Sequence, residues 1–279
     1  MKAAVLSAYN EPLVIEDLTA PDLNPDEVRV QIDASGVCHS DVTVANGGVP
    51  MPPPIILGHE GAGHILEVGS NVTRVKVGDK VICSFTPACG VCWFCLRDQS
   101  NLCERANDYF LATRGLRADG SPVFGMTGLG TFTDEMVTAE SMVVKVETDL
   151  PAEQLALIGC GVTTGVGAAL NTAKVQPGST VAVIGCGGVG QAVIQGARIA
   201  GASRIFAIDP VELKRKTAEQ LGATDLIDPA KGDPVQQVKD ATGGRGTDYA
   251  FEVIGLAETI VQAYNTARRG GTAVIVGMA

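Results

Sequence analysis

Four cysteines lie between residues 89 and 103, close enough in the sequence to bind one metal ion. They follow the spacing C-x2-C-x2-C-x7-C, at positions Cys89, Cys92, Cys95 and Cys103. Such short gaps suit a tetrahedral zinc site of four thiolates, whereas disulfides between close neighbours would be strained. Iron–sulfur clusters also use closely spaced cysteines, but their usual spacings differ. Four thiolates fill the coordination sphere of zinc, so we predict a closed, structural zinc site with no position for a substrate.

Three further residues could bind a second metal ion, although they are far apart in the sequence. Cys38 lies in GVCHSD, His59 in LGHEGAG and Cys160 in IGCGVTTG. Two thiolates and one imidazole form a zinc set that leaves the fourth position open, which is typical of catalytic zinc. Asp41 could orient the imidazole of His59 from behind the metal. Two buried cysteines and a core histidine are an equally good interpretation of these three residues by themselves.

A glycine-rich turn follows the apolar segment STVAVIG and precedes an amphipathic segment. Its residues are Gly185, Cys186, Gly187, Gly188, Val189 and Gly190. This G-x-G-x-x-G pattern between a predicted strand and a predicted helix is typical of dinucleotide binding. The first glycine permits the tight turn, the second lets the backbone approach a pyrophosphate, and the third allows close packing of helix on strand. The N-terminus of the helix offers free N–H groups to the phosphates.

Asp209 closes the next predicted strand, 19 residues after Gly190. A carboxylate there can accept hydrogen bonds from both ribose hydroxyls and would repel a 2′-phosphate, so it predicts NAD rather than NADP. The alternative interpretation is a tight turn between strand and helix, followed by an ordinary surface aspartate.

Two kinds of secondary structure must position these residues. Up to about residue 160, short valine- and isoleucine-rich runs are separated by turns, which indicates a rolled or barrel-like antiparallel sheet. From about residue 178, apolar strands alternate with helices, which predicts a parallel sheet covered on both faces. In this second part we predict five strands and four helices, the last helix covering LAETIVQAYNTARRGG.

Composition narrows the possible partners and the compartment. The 279 residues contain 46% hydrophobic residues, enough for a buried core, and carry a net charge of −10. A negative field of this size argues against nucleic acid or an anionic membrane as a partner. We find neither a signal peptide nor an apolar run that approaches a membrane span, and predict a cytoplasmic protein. Eight cysteines in a reducing compartment favour metal binding over disulfides.

The motifs GVCHSD, LGHEGAG, GCGVTTG and VAVIGCGGVG, with the cysteine cluster and Asp209, resemble those of the zinc-dependent, medium-chain alcohol dehydrogenase family in type and order. The resemblance runs from residue 1 to residue 279. It implies an α/β plus β fold, with a GroES-like barrel catalytic domain in residues 1–165 and a Rossmann NAD-binding domain in residues 166–279. The implied reaction is NAD-linked oxidation of an alcohol to an aldehyde or ketone, and the reverse reduction.

The resemblance also implies two zinc ions per chain and a role for individual residues. The catalytic zinc would be held by Cys38, His59 and Cys160, and the structural zinc by the four-cysteine cluster. Ser40 would take the alcohol proton, Asp41 would support a metal ligand, Glu60 could exchange onto the metal, and Phe85 would line the substrate pocket. The cofactor contacts would come from His39, Thr164, Gly185, Gly187, Gly188, Val189, Gly190, Asp209, Lys214, Ile254 and Val276.

Two departures from the family pattern bear on function. Thr43 stands where many members continue the proton relay with a histidine, and the sequence ends after the fifth Rossmann strand, where members usually continue. We therefore expect a Rossmann domain that is shortened after its fifth strand, and a homo-oligomer when the protein is full length. Two other functions stay open. One is oxidation of a thiol–formaldehyde adduct, for which Arg114 and Arg117 could bind the acidic thiol, and the other is a non-catalytic zinc- and nucleotide-binding fragment.

Overall fold

Short strands with alternating burial build the first part of the chain. The computed structural model describes residues 1–110 and 112–278, and the chain divides into two compact units, Met1–Cys160 and the residues from Gly161 onward. Along Glu27–Gly36, for example, Val28 and Val30 are buried and the residues between them are partly exposed. The predicted domain boundary at residue 165 stays a prediction.

The first unit contains two five-stranded sheets. The strands are β1 (Lys2–Leu6), β2 (Val14–Asp17), β3 (Glu27–Gly36), β4 (Ile55–Ile56), β5 (Glu60–Val68), β6 (Lys80–Cys83), β7 (Thr113–Leu116), β8 (Pro122–Gly125), β9 (Glu135–Ala139) and β10 (Val143–Lys145). The sheet orders are β2-β1-β4-β8-β7 and β10-β6-β5-β3-β9. The antiparallel prediction is wrong at one pair in the described residues, because β4 and β8 run parallel. These strands are far apart in the sequence, so no tight turn forces them to be antiparallel.

Within the described residues, three α-helices belong to the first unit: α1 (His39–Ala45), α2 (Asn107–Phe110) and α3 (Ala152–Leu157). The run from Ala152 to Thr172 is helical throughout, and it is long and apolar enough to cross a membrane by length and composition alone. The statement that no apolar run approaches a membrane span is therefore wrong. The run begins with ordinary core packing, since Leu155 and Ala156 are buried against Ala62 and Ile82. Core helices of soluble proteins can be equally long and apolar, so length and composition alone are weak evidence for a membrane span.

The second unit contains one parallel sheet and confirms the predicted alternation of strands and helices. Its elements are α4 (Thr163–Gly167), β11 (Thr180–Ile184), α5 (Gly188–Ile199), β12 (Arg204–Ile208), α6 (Glu212–Leu221), β13 (Asp225–Ile227), α7 (Pro234–Ala241), β14 (Thr247–Glu252), α8 (Ala257–Thr266) and β15 (Ala267–Ile275). The strand order is β13-β12-β11-β14-β15. Separate hydrophobic clusters cover the two faces, one around Val181 and Val183 and the other around Ala182 and Ile184.

The last predicted helix is wrong at its C-terminal end. The segment ARRGG continues as strand, because β15 begins at Ala267 directly after α8 ends at Thr266. Gly270 has a φ of 70°, which a helix cannot accommodate, and β15 gains a partner by pairing with β14. The sequence prediction continued the helix through Ala267, and the pair of glycines at 270 and 271 is the feature of the sequence that indicates a change from helix to strand.

Candidate functional site

The residues predicted to hold the catalytic metal come together inside the first unit. Ligand atoms of Cys38, His59, Glu60 and Cys160 all lie within 4.8 Å of one another. His59, Glu60 and Cys160 are buried, and Cys38 is partly buried. Two thiolates, one imidazole and one carboxylate in such a cluster match the donor types of a zinc site. These residues fit a bound zinc ion, and which of them hold it remains a prediction.

Strand pairing explains how residues so distant in the sequence meet. The end of β3 pairs with the start of β5, where Gly36 lies opposite Glu60, and Cys38 and His59 flank that pair. A Cβ atom on Gly36 would lie 2.2 Å from Oε2 of Glu60, so the close approach requires glycine at this position. The fourth residue, Cys160, lies in a π-helical turn, Ile158–Val162. Such turns are frequent at functional sites.

Asp41 connects the two loops that carry the first ligands. Its side chain is buried; Oδ2 accepts the backbone N–H of Cys38 at 2.8 Å, and Oδ1 accepts that of Gly58 at 3.1 Å. The same Oδ1 lies 3.2 Å from Nδ1 of His59. With Nδ1 directed at a carboxylate, Nε2 is the ring nitrogen left for a metal. The structure therefore places Asp41 where a residue that supports a metal ligand would have to be.

The cluster is electrostatically prepared for a cation. Hydrogen bonds from Cys160 and His59, with smaller ones from Ser40, lower the pKa of Cys38 to about 3 despite its burial. Burial would lower the pKa of His59, but the hydrogen bonds to Asp41 and Cys38 and their negative charges raise it to about 9. The charges that retain a proton on His59 would equally favour a divalent cation in its place.

Three more predicted residues lie around this cluster. Ser40, on the first turn of α1, has its hydroxyl 3.7 Å from Sγ of Cys38. The ring of Phe85 contacts that of His59 edge to face, with centroids 5.5 Å apart. His39 is exposed at the start of α1, and the hydroxyl of Thr43 donates to its carbonyl. Ser40 and Phe85 thus adjoin the metal ligands, whereas the cofactor contact of His39 stays a prediction.

The four cysteines between residues 89 and 103 form a second cluster in the first unit, again with all sulfur atoms within 4.8 Å. The N–H of Cys89 donates to Sγ of Cys103, and that of Cys95 to Sγ of Cys92. The bond from Cys95 is the largest cause that lowers the pKa of Cys92 to about 6. Between the cysteines the chain forms two short 3₁₀ turns, Cys95–Arg97 and Ser100–Leu102, and neither turn contains a buried residue. This geometry fits the predicted structural zinc.

One further thiol and two arginines of the first unit are buried or already paired. Burial raises the pKa of Cys83 to about 12, so this thiol is protonated and inert. Arg114 is buried, donates to the carbonyl of Gly128 and pairs with Glu27. Arg117 donates twice to Glu16, each time at 2.8 Å. Both arginines suggested for an acidic thiol are therefore already paired with glutamates.

In the second unit, the glycine-rich turn forms an open cradle at the N-terminus of α5. For a Cβ atom built on Gly187 or on Gly188, no described atom would lie within 4 Å, so the space in front of the helix is free. A Cβ on Gly190 would instead lie 1.9 Å from the carbonyl oxygen of Gly185. Val189 lies in the first turn of α5. Free N–H groups facing an open cradle fit a pyrophosphate.

Asp209 lies at the end of β12 and connects it to that turn. Its side chain is buried, Oδ2 accepts the N–H of Cys186 at 2.9 Å, and Oδ1 accepts that of Val211 at 2.8 Å. Sequence reasoning missed Gln191, whose Nε2 donates to the carbonyls of Cys186 and Lys214. Asp209 and Gln191 together fix the turn against α6. A glutamine one residue after a G-x-G-x-x-G turn is a weak signal, which the sequence alone would not single out.

The remaining predicted cofactor residues are placed in three parts of the second unit. Ile254 follows β14 and Val276 follows β15, at the carboxyl ends of neighbouring parallel strands. Lys214 is exposed on α6, and Thr164 is partly buried on α4. Ligands of parallel sheets bind at the carboxyl edge, so the turns at Ile254 and Val276 lie where the fold requires them. Their contacts with a cofactor stay predictions.

Comparisons with known proteins agree with this architecture. Residues 24–148 match the alcohol dehydrogenase GroES-like domain, and residues 188–279 match zinc-binding dehydrogenases. An alcohol dehydrogenase zinc-binding domain protein from Burkholderia ambifaria is 35% identical, with a TM-score of 0.93 over 99% of this chain and 76% of that one. Benzyl alcohol dehydrogenase from Acinetobacter calcoaceticus is 34% identical, with a TM-score of 0.91 over 100% of this chain and 77% of that one.

A third solved structure shows a bound nucleotide. A protein of Sinorhizobium meliloti 1021, described as a zinc-binding dehydrogenase and bound to NADP, is 29% identical, with a TM-score of 0.83 over 99% of this chain and 76% of that one. The two domain matches and the overall similarity cover both units of the chain. This chain therefore belongs to the zinc-dependent, medium-chain alcohol dehydrogenase family, with a GroES-like domain followed by a nucleotide-binding domain.

Proposed function

We propose that this protein is a zinc-dependent, NAD-linked alcohol dehydrogenase that oxidises a small alcohol to an aldehyde or ketone and catalyses the reverse reduction. The observation that carries the proposal is the buried cluster of Cys38, His59 and Cys160, beside Glu60. Two thiolates and one imidazole would occupy three of the four positions of a tetrahedral zinc ion. One position would be left for an oxygen ligand, as catalytic zinc requires. A purely structural site has no need of that position.

Each residue of the cluster has a distinct task in this proposal. Cys38, His59 and Cys160 would hold the metal, Glu60 would be a further donor able to exchange onto it, and Asp41 would fix the imidazole. A zinc ion held there would supply Lewis-acid chemistry: it would polarise a carbonyl oxygen and make an alcohol hydroxyl more acidic. Phe85, packed on His59, supplies an apolar wall that would exclude water from the reacting carbon.

Proton transfer would begin at Ser40, whose hydroxyl lies 3.7 Å from Sγ of the predicted ligand Cys38. Its Oγ would accept the proton that the alcohol loses and pass it outward. Thr43, on the same face of α1, has its hydroxyl bonded to the carbonyl of His39. A threonine has no basic nitrogen, so the outer path would run through solvent or the ribose of the cofactor.

NAD bound at the second unit would accept the hydride. The open cradle at Gly187 and Gly188 supports binding of its pyrophosphate, and Asp209 supports the choice of NAD. A 2′-phosphate would meet the carboxylate of Asp209, and Arg215, the neighbouring buried cation, is already paired with Asp228. A related protein is bound to NADP, so the comparison of NAD with NADP is part of the test.

The proposal extends to the assembly and the surroundings of the protein. A second zinc ion would occupy the four-cysteine cluster, and the partner is a small-molecule alcohol or aldehyde rather than nucleic acid or a membrane. We further propose a cytoplasmic location and a homo-oligomeric assembly.

The test is to measure absorbance at 340 nm while purified, zinc-loaded protein is mixed with NAD and a panel of primary, secondary and aromatic alcohols. We expect NADH to form with at least one alcohol, and to form faster with NAD than NADPH forms with NADP. Formaldehyde plus low-molecular-weight thiols is the competing substrate. Turnover only with that mixture would replace alcohol oxidation by adduct oxidation, and bound zinc without turnover on any substrate would favour a non-catalytic protein.

A further inference from the structure

Glu252 is a buried carboxylate to which neither the metal site nor the proposed cofactor contacts assign a role. It ends β14, and its side chain has no exposed surface. One carboxylate oxygen, Oε1, accepts three hydrogen bonds: from the N–H of Ile254 at 2.9 Å, from that of Gly255 at 2.8 Å, and from the hydroxyl of Thr259 at 2.7 Å. A buried charged group is stable only when such donors surround it, so this oxygen fixes the turn after β14.

The main chain of the same residue holds a second turn. The carbonyl oxygen of Glu252 accepts the N–H of Val276 at 2.8 Å and that of Gly277 at 3.1 Å. Because β14 and β15 are parallel neighbours, the two turns lie side by side at the carboxyl edge of the sheet. One residue therefore connects both turns that follow these strands, at the edge where parallel sheets bind their ligands.

The second carboxylate oxygen is not explained by these contacts. Oε2 of Glu252 is buried, and within residues 1–110 and 112–278 it has no hydrogen-bond partner. A Cβ atom on Gly277 would lie 2.6 Å from this oxygen and 2.2 Å from the backbone nitrogen of Gly255, so the two turns interlock with no space to spare. A buried acceptor without a donor is unfavourable. Stability of the fold alone would favour a side chain that leaves no oxygen unpaired.

We propose that Glu252 is a positioning residue that holds the backbone at 254–255 and 276–277 in the arrangement that binds the dinucleotide. The proposal rests on the proposed NAD binding at this edge. Holding both turns in place before the cofactor arrives removes the cost of ordering them on binding, which raises affinity without any direct contact. Glu252 would thus act on the cofactor through the two turns.

The experiment measures two quantities for each variant of the whole chain: the dissociation constant for NADH by fluorescence titration, and the melting temperature without NADH. For Glu252→Ala we expect NADH to bind about tenfold more weakly, because the turn at 254–255 loses the side-chain acceptor that orders it and no longer packs against the turn at 276–277, which keeps its main-chain acceptor. For Glu252→Gln we expect near-wild-type binding, since the amide oxygen still accepts from Ile254 and Gly255. The control Thr259→Val removes one donor without freeing either turn, so it should lower the melting temperature and leave binding unchanged.

A merely structural role predicts a different pattern. If NADH affinity falls in proportion to the melting temperature across all three variants, or if Glu252→Ala binds like wild type, the proposal is wrong. Should Glu252→Ala not fold, Gly277→Ala provides the same test, because its Cβ pushes the turns apart; tenfold weaker binding supports the proposal and unchanged binding overturns it. Wild-type protein that does not bind NADH at all would instead refute the proposed NAD site, and this inference with it.

Discussion

The two predicted metal clusters of the first unit differ in how they are built. The four cysteines between residues 89 and 103 come from one continuous loop with few buried residues around it. Cys38 comes directly before α1, His59 directly before β5 and Cys160 from a π-helical turn, and both His59 and Cys160 are buried. We therefore expect the first cluster to order its loop and the second to be held in place by the fold.

This difference separates structural from catalytic use of the same metal. A metal ion bound by the four thiolates would contribute folding free energy, because the turns around them bury no residue of their own. A set of three ligands fixed by sheet pairing and by Asp41 keeps its geometry while the fourth ligand exchanges. Removing metal from the two sites should therefore have different consequences.

The largest effect is expected for Cys160→Ser. Loss of one thiolate from the predicted catalytic set should remove one of two zinc ions per chain and lower kcat by at least about a thousandfold, because polarisation of the substrate oxygen is lost. Metal analysis and NADH formation measure the two effects, and Cys83→Ala serves as the control that keeps both zinc ions. A variant that retains two zinc ions and full activity would remove Cys160 from the metal site.

Cys103→Ser tests the other cluster. We expect loss of the other zinc ion and a fall of roughly 4 kcal/mol in the free energy of unfolding, since the loop loses the metal that orders it. Urea denaturation and the rate of proteolysis within residues 89–103 check this. Cleavage should increase in that loop and not in the parallel sheet. Unchanged stability after loss of the zinc ion would show that the loop is ordered without it.

Asp41→Asn should have an intermediate effect confined to the catalytic set. The amide keeps the size of the side chain and an oxygen for one backbone N–H, but it loses the charge beside His59. We expect zinc affinity at this site to fall by about 10- to 100-fold, as for other outer partners of metal ligands. Competition with a chelator measures the affinity, and zinc in the four-cysteine cluster should stay unchanged as the internal reference. Equal weakening of both sites would indicate general destabilisation instead.

The same contrast shows what the sequence could and could not reveal. The spacing of the four cysteines and the glycine-rich turn each describe a site within one local segment, so they are visible in the sequence. The meeting of Cys38, His59 and Cys160 depends on the pairing of β3 with β5, which no spacing encodes, and only the family resemblance indicated it. Three other features likewise depend on tertiary contacts: the end of α8, the parallel pairing of β4 with β8, and the hydrogen bonds by which Glu252 holds the two turns after β14 and β15.

The smallest expected effect is the pH dependence of stability in metal-free protein. The pKa of Cys38 is about 3 in the fold against an ordinary 9.0, so its contribution is full above the ordinary value and is lost as pH falls toward 3. The pKa of His59 is about 9 against an ordinary 6.5, so its contribution is full below 6.5 and is lost as pH rises to 9.

Between pH 6.5 and pH 9 the contributions of Cys38 and His59 to stability change with pH in opposite directions. Stability from the pair should rise with pH up to about 6.5 and then stay level to about 9, because the gain from the thiolate offsets the loss from the imidazolium. Urea denaturation of chelator-treated protein between pH 5 and 9 measures this, and Cys38→Ser should lose the rising part. A continued rise above pH 6.5 in the wild type would show that His59 is not protonated beside Cys38, and the catalytic cluster would then be less prepared for a cation than its geometry indicates.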